Sequence, residues 1–328
     1  MRSSQSHSKE EPFKDKLETS SPNTAHFRIL NIANTRYGKA GSVFAPILLE
    51  SQMKIKRLLS VPIFSVLSLI GFVYYITVFI FIEDWIGLFT SPGLISSLIF
   101  TYLASLCLFS LAVCVLTDAG PVPSSYLPDV EENAGSDHDA KISALQVRHC
   151  EKCSTYKPPR THHCRVCRKC VLRMDHHCLW INNCVGYWNY KSFFVLVSYG
   201  TLASLYSTFI IMRCAFQRNW NFEGMLPVNI FYVICAVMMI SLSSTLGTLL
   251  GWHIYLIVRN MTTIEYYEGI RAAWLARKSG QSYQHPFDVG AYKNMTLILG
   301  PNILKWAWPT SASHLKDGLS FPTLRDSS

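Results

Sequence analysis

Between His149 and Cys184 the chain reads HCEKCSTYKPPRTHHCRVCRKCVLRMDHHCLWINNC, which packs seven cysteines and five histidines into one short segment. Three C-x-x-C pairs occur there: Cys150/Cys153, Cys164/Cys167 and Cys167/Cys170. A C-x-x-C turn sets two thiolates on one ion, and zinc takes four such ligands tetrahedrally. One site would leave too many thiols uncompensated. Three sites would need ligands crowded at the adjacent positions His176, His177 and Cys178. Two sites use eight of the twelve candidates and leave four groups over. A spare cysteine beside a spare histidine is a nucleophile beside a base, and Asp175-His176-His177-Cys178 is where such a pair would lie. The imidazole would take the thiol proton and leave a thiolate. A carboxylate would orient that imidazole and stabilise its charged form, the logic of a triad. Spacing alone leaves a second reading open, in which Cys178 is one more zinc ligand.

The elements that must position these groups are membrane spans. The chain has 328 residues, 49% of them hydrophobic and only 16% charged, whereas a soluble domain carries about a quarter charged residues. Four runs reach the roughly 20 apolar residues that a crossing needs: Ser60–Ile82, Ile95–Leu116, Phe193–Met212 and Val228–Val258. The first three contain no charged residue, and the fourth contains only His253 as a titratable group. His253 lies near a span end, where headgroups would satisfy it, and it receives no role. Four uncharged runs in one chain argue against buried soluble helices.

Lysine and arginine mark the cytosolic side of a membrane protein. Residues 1–59 hold ten, 117–192 hold ten and 259–328 hold eight, while 83–94 hold none and 213–227 only Arg213 and Arg218. Both termini and the central loop are therefore expected in the cytosol. That reducing compartment disfavours a disulfide framework for the seven cysteines of the central loop. Cys107, Cys114, Cys214 and Cys235 sit in apolar runs and read as small buried hydrophobes. The expected fold is an all-α integral membrane protein of four transmembrane helices, with a small cytosolic Cys/His-rich zinc domain between helices 2 and 3. Its parts are a partly disordered tail at 1–59, spans 1 and 2 within 60–116, and a flexible linker at 117–147. A zinc-binding domain at 148–192, spans 3 and 4 within 193–258 and a cytosolic region at 259–328 complete it. No repeat is long enough to suggest a solenoid.

At these residues the chain resembles the DHHC family of protein S-acyltransferases, often called palmitoyltransferases. The spacing Cys150-x2-Cys153-x9-His163-Cys164-x2-Cys167-x2-Cys170-x4-Asp175-His176-His177-Cys178-x5-Cys184 agrees with the family pattern, and so does the four-span topology. The resemblance implies two interleaved structural zinc sites, one of Cys150, Cys153, His163 and Cys170, the other of Cys164, Cys167, His177 and Cys184. It implies that Cys178 carries the acyl group, His176 is its base and Asp175 orients the base. His149 and His162 are left without a role. Thr117-Asp118-Ala119-Gly120 resembles the family's Asp-Pro-Gly motif, with Ala119 in place of proline. Thr262-Thr263-Ile264-Glu265 is similar to its Thr-Thr-x-Glu motif, and has capping-box spacing as well. The motif would let Thr262 or Thr263 hydrogen-bond near Asp175. His285-Pro-Phe-Asp288 and Asn294 resemble a C-terminal motif in which His285 replaces an asparagine, and Leu179 replaces the proline common after the signature cysteine. These departures bear on substrate preference.

The function so implied is transfer of a fatty acyl group, palmitoyl by resemblance, from acyl-CoA through Cys178 to cytosolic cysteines of membrane-associated proteins. Small residues such as Gly200 and Ser204 would leave room for the chain among the spans. Arg160, Arg168 and Lys169 are either CoA-phosphate contacts or solvated surface charge. The segment Thr263–Lys278 has apolar residues at helical spacing, suited equally to the membrane surface or to packing on the zinc domain. A non-catalytic membrane adaptor would need the zinc ligands but not Cys178. Nucleic-acid binding is disfavoured by tethering between spans, and transport by spans without charge. The resemblance places the protein in an endomembrane, Golgi or endoplasmic reticulum ahead of the plasma membrane.

Overall fold

The computed structural model describes residue 52 and residues 54–128, 148–218, 226–310 and 312–327. Most of the expected tail, and the linker from residue 129 onward, lie outside the described residues. The chain divides into two units, Met1–Ile55 and Lys56–Ser328. The spans and the Cys/His segment all belong to the second unit.

Among the described residues, four helices are long and apolar enough to cross a membrane: α1 (Val61–Ile86), α2 (Ser91–Leu116), α3 (Tyr190–Gln217) and α4 (Leu226–Val258). The protein is a multi-pass membrane protein. The helices run past the uncharged runs because their ends satisfy polar groups locally. α1 takes in Glu83 and Asp84 before Gly87 stops it at a left-handed φ of +74°, a conformation that suits glycine. α2 starts on Thr90, whose hydroxyl accepts from the Gly93 amide, with Pro92 in the first turn. α3 starts three residues before its apolar run, and Lys191 there is buried with its Nζ donating to the Leu299 carbonyl.

α3 packs against the other three spans. Its hydroxyls meet theirs at Thr77–Ser207 (2.7 Å), Ser96–Tyr206 (2.7 Å) and Thr208–Ser243 (2.8 Å). In lipid there is no hydrophobic force between helices, so small residues and such bonds hold a bundle together.

Among the described residues between α2 and α3 lie three two-stranded antiparallel hairpins: β1–β2 (His149–Cys150, Thr155–Tyr156), β3–β4 (His162–Cys164, Lys169–Val171) and β5–β6 (His176–Cys178, Asn183–Val185). The Asn183 amide donates to the carbonyls of Cys114 and Thr117 at the end of α2. Asp118 accepts from the Gly120 amide and from Lys169 Nζ at 2.6 Å. Gly120 has φ +106°, and a Cβ there would come within 2.7 Å of the Trp188 ring, so only glycine lets the chain turn from α2 into the hairpins.

After α4 the chain turns at Asn260 (φ +46°) into α5 (Thr263–Lys278), which has both bonds of a capping box between Thr262 and Glu265. α6 (Ala291–Leu299) comes next. Asn294 Nδ2 donates to Val258 O and Asp288 Oδ1, both at 2.7 Å, closing the end of α4.

Candidate active site

The three hairpins are successive copies of one 14-residue unit. Cys150, Cys164 and Cys178 follow one another at that interval, as do His149, His163 and His177. Strand pairing keeps the same phase: Cys150 faces Thr155, Cys164 faces Lys169 and Cys178 faces Asn183. Ser154, Arg168 and Asn182, again 14 apart, all take a left-handed φ between 45° and 53° at the hairpin turns.

Each possible metal site joins two units. Cys150 and Cys153 of the first meet His163 and Cys170 of the second. Cys164 and Cys167 of the second meet His177 and Cys184 of the third. In the first group His163 Nδ1 lies 3.6, 3.2 and 3.9 Å from the sulfurs of Cys150, Cys153 and Cys170. In the second, His177 Nδ1 lies 3.7, 3.4 and 3.6 Å from those of Cys164, Cys167 and Cys184. Tetrahedral zinc with ordinary Zn–S and Zn–N bonds would set sulfur and nitrogen about 3.6 Å apart. Both groups therefore fit a zinc ion with no position left open, and each could hold one.

Cys178 lies outside both groups. It occupies the position of Cys150 and Cys164, but Ile181 stands where those units have Cys153 and Cys167, and no fourth unit comes after it to supply a histidine. Cys178 is thus the unused end of the repeat.

Around it the third unit adds what the second lacks. Asp175 replaces Thr161, and its Oδ2 lies 2.7 Å from His176 Nδ1. The same carboxylate accepts from the Thr263 amide (2.9 Å) and hydroxyl (3.0 Å) at the start of α5. Asp175 is fully buried. Burial opposes its charge, yet the His176 bond and the Thr263 amide hold its carboxyl below the usual range. His176 also interacts with the Cys178 side chain. Burial pushes the imidazole down, but Asp175 and Cys178 outweigh it and raise it to about 9. Burial likewise pushes the Cys178 thiol up, while His176 and the amides of Ile181 and Trp180 bring it below its ordinary value. Each group thus favours the charged form of the other, the relationship a thiol nucleophile and its base require. Cys178 is 8% exposed and belongs to an apolar cluster to which every span contributes: Ile63 from α1, Leu111 and Val115 from α2, Phe193 from α3 and Ile257 from α4.

Thr263 makes the contact to Asp175 that the Thr-Thr-x-Glu resemblance suggested for one of the two threonines. Thr262 instead caps α5. Arg160 is no free cation for a phosphate: it is buried, with Nε and Nη2 both 2.7 Å from the Glu265 carboxylate and Nη2 also donating to Asn260 O. Burial resists the Glu265 charge, but Arg160 overrides it and lowers the carboxyl to about 2. Lys169 is engaged by Asp118, and Arg168 is exposed. Gly200 lies between Leu246 and Cys107, and Ser204 is buried.

His253 does not face headgroups. It is 1% exposed, with Tyr190 Oη 3.0 Å from its Nδ1, and its ring lies 6.2 Å from that of His176 with Phe193 edge-on to both. Its sequence neighbourhood is uniformly apolar, so the only signal was a lone imidazole in a span, which by default marks a functional position.

A family model described as DHHC palmitoyltransferase matches residues 144–270. The chain is 60% identical over 257 residues to "Probable protein S-acyltransferase 15" of Arabidopsis thaliana, an alignment covering 78% of this chain and 100% of that protein. It is 51% identical over 270 residues to "Probable protein S-acyltransferase 16" of the same plant, covering 82% and 94%. To the Homo sapiens protein "Palmitoyltransferase ZDHHC2" it is 37% identical over 179 residues, covering 54% and 46%.

Proposed function

The chain belongs to the DHHC palmitoyltransferase family and is a protein S-acyltransferase; on that premise we propose that it works by acylating its own Cys178 and passing the acyl group to cysteine thiols of other proteins. One observation carries this reading: Cys178 stands outside both Cys/His groups, with His176 and Asp175 aligned behind it.

The donor is acyl-CoA, palmitoyl-CoA by family. The Cys178 sulfur attacks the thioester carbonyl, the carbon–sulfur bond to CoA breaks, and the departing CoA sulfur takes the proton of the His176 imidazolium. A substrate cysteine then gives its proton to neutral His176 and attacks the acyl-enzyme, releasing Cys178 as the thiolate. One thioester is exchanged for another in each half, so acyl-CoA is the only energy source. Asp175 keeps Nδ1 of His176 as the donor in both halves and steadies the imidazolium. The apolar shell from the four spans suits a lipid chain bonded to Cys178.

Two zinc ions, when bound, supply structural cross-links between the hairpins. Cys150, Cys153, His163 and Cys170 hold one, and Cys164, Cys167, His177 and Cys184 the other. A cleft of about 480 Å³ has Arg148 and Lys157 in its lining, with Glu268 beside them, and these two cations are offered to CoA phosphates. The hairpins and both termini face the cytosol, with residues 148–192 as the catalytic domain, in a Golgi or endoplasmic-reticulum membrane. Substrates are membrane-associated proteins with cytosolic cysteines.

The test is peptide mapping after one turnover. Full-length protein mixed with palmitoyl-CoA and no protein acceptor should carry a hydroxylamine-labile palmitoyl mass on the peptide containing Cys178. A label confined to another cysteine would reject the mechanism.

A further inference from the structure

α5 presents an apolar face that its own chain does not cover. Tyr267, Ile270 and Trp274 recur at helical spacing and are 65%, 52% and 56% exposed. The opposite side buries Glu265 against Arg160 and Gly269 near Tyr283. Packing on the hairpins therefore uses the first turn of α5, through Ile264 and Glu265, and the aromatic side of the later turns points outward. Arg271 and Lys278 border it, with Lys278 Nζ 3.8 Å above the Trp274 ring.

Two features say what covers this face. Tyr266, beside Tyr267, packs edge-on against Trp252 (4.7 Å) and Tyr255 (6.1 Å) in the last turns of α4. The aromatic face thus continues the outer side of a membrane span, where Ile254 and Tyr255 are themselves exposed. Only four residues separate Val258 from Thr263, so α5 begins where α4 leaves the bilayer. Aromatic rings flanked by lysine and arginine fit the headgroup layer of an anionic leaflet.

We propose that α5 lies on the membrane surface, with Tyr267, Ile270 and Trp274 in the interfacial layer and Arg271 and Lys278 against anionic headgroups. The same helix holds Asp175 through Thr263, so leaflet charge and the catalytic carboxylate bear on one rigid element.

The test uses the full chain in lipid nanodiscs with p-benzoylphenylalanine in place of Ile270, Trp274 or, as the control, Glu268. Irradiation should give lipid adducts severalfold more often at 270 and 274 than at 268. Replacing part of the phosphatidylcholine with phosphatidylserine should raise the yield, and the pair Arg271→Glu and Lys278→Glu should abolish that rise. Equal yields at all three positions would overturn the proposal. So would cross-linked dimers at 270 and 274, which would assign the face to a second copy.

Discussion

Cys164 and Cys178 hold the same position in successive hairpins, yet Cys164 Sγ lies 3.7 Å from His177 Nδ1 in a four-ligand group, while Cys178 belongs to no such group and meets His176 instead. The residue three positions further on makes the difference. Cys167 completes the second unit's pair, and Ile181 leaves the third unit's pair incomplete. The repeat thereby leaves one cysteine at its end outside both four-residue groups.

Restoring the missing cysteine should capture that thiol. Ile181→Cys should make self-acylation sensitive to added zinc at concentrations that leave wild type unaffected, because two thiolates three residues apart form a metal turn. Acylation rates measured across a zinc titration check this; identical curves would show that Ile181 does not keep Cys178 free.

Removing a ligand should act on the fold. Cys170→Ser should lower bound zinc from two ions per chain and weaken the hairpins cooperatively, since metal and folding are coupled in such small domains. Zinc analysis together with a melting curve reports both. Full zinc retention would remove Cys170 from the ligand set.

The Thr263 hydroxyl should matter to rate more than to stability. Thr263→Val keeps the backbone donor to Asp175 and loses the 3.0 Å hydroxyl bond. A bond of this kind contributes about 1 kcal/mol, or about a fivefold loss of turnover, with Thr263→Ser restoring it. An unchanged rate in the valine variant would mean that the amide alone suffices.

The Arg160–Glu265 pair should dominate the docking of α5 on the hairpins. Glu265→Gln leaves a buried guanidinium without its carboxylate and should cost about 3–5 kcal/mol. The pair also predicts an acid limb. The Glu265 carboxyl is depressed from 4.5 to about 2 in the folded state, so its stabilisation is complete above pH 4.5 and is lost as pH falls toward 2. Subtracting the Glu265→Gln unfolding profile from that of wild type isolates this component; a difference that stays constant from pH 5 to pH 2 would contradict it.

His253 should steady His176 from the membrane side. His253→Leu removes the Tyr190 bond and should slow acylation severalfold, whereas His253→Gln should retain more of the rate. Equal rates for both variants and wild type would reduce His253 to packing.

The spans were legible because membrane burial forbids charge over long runs, a pattern that survives in a single sequence. Their ends were not, since Tyr190 and Lys191 enter α3 on bonds to His253 and to the Leu299 carbonyl, and Glu83 enters α1 with its carboxylate accepting from the Leu88 amide. The Asp175–His176–Cys178 arrangement stood out through adjacency. The 14-residue repeat was equally present, but the C-x-x-C spacing of three overlies it, and the phase emerges only when the strands are paired. The partners of His253 and the Arg160–Glu265 bond were beyond reach. They join positions 77 and 105 residues apart, to His176 and to one another respectively, and only the folded chain brings them together.

The most direct test is acyl transfer from labelled palmitoyl-CoA to the purified protein, comparing wild type with Cys178→Ser and measuring zinc in both. The expected result is a hydroxylamine-sensitive label on wild type, none on the variant, and the same zinc content in each. A variant that loses zinc, or one that labels as strongly as wild type, would contradict the role of Cys178 as acyl carrier.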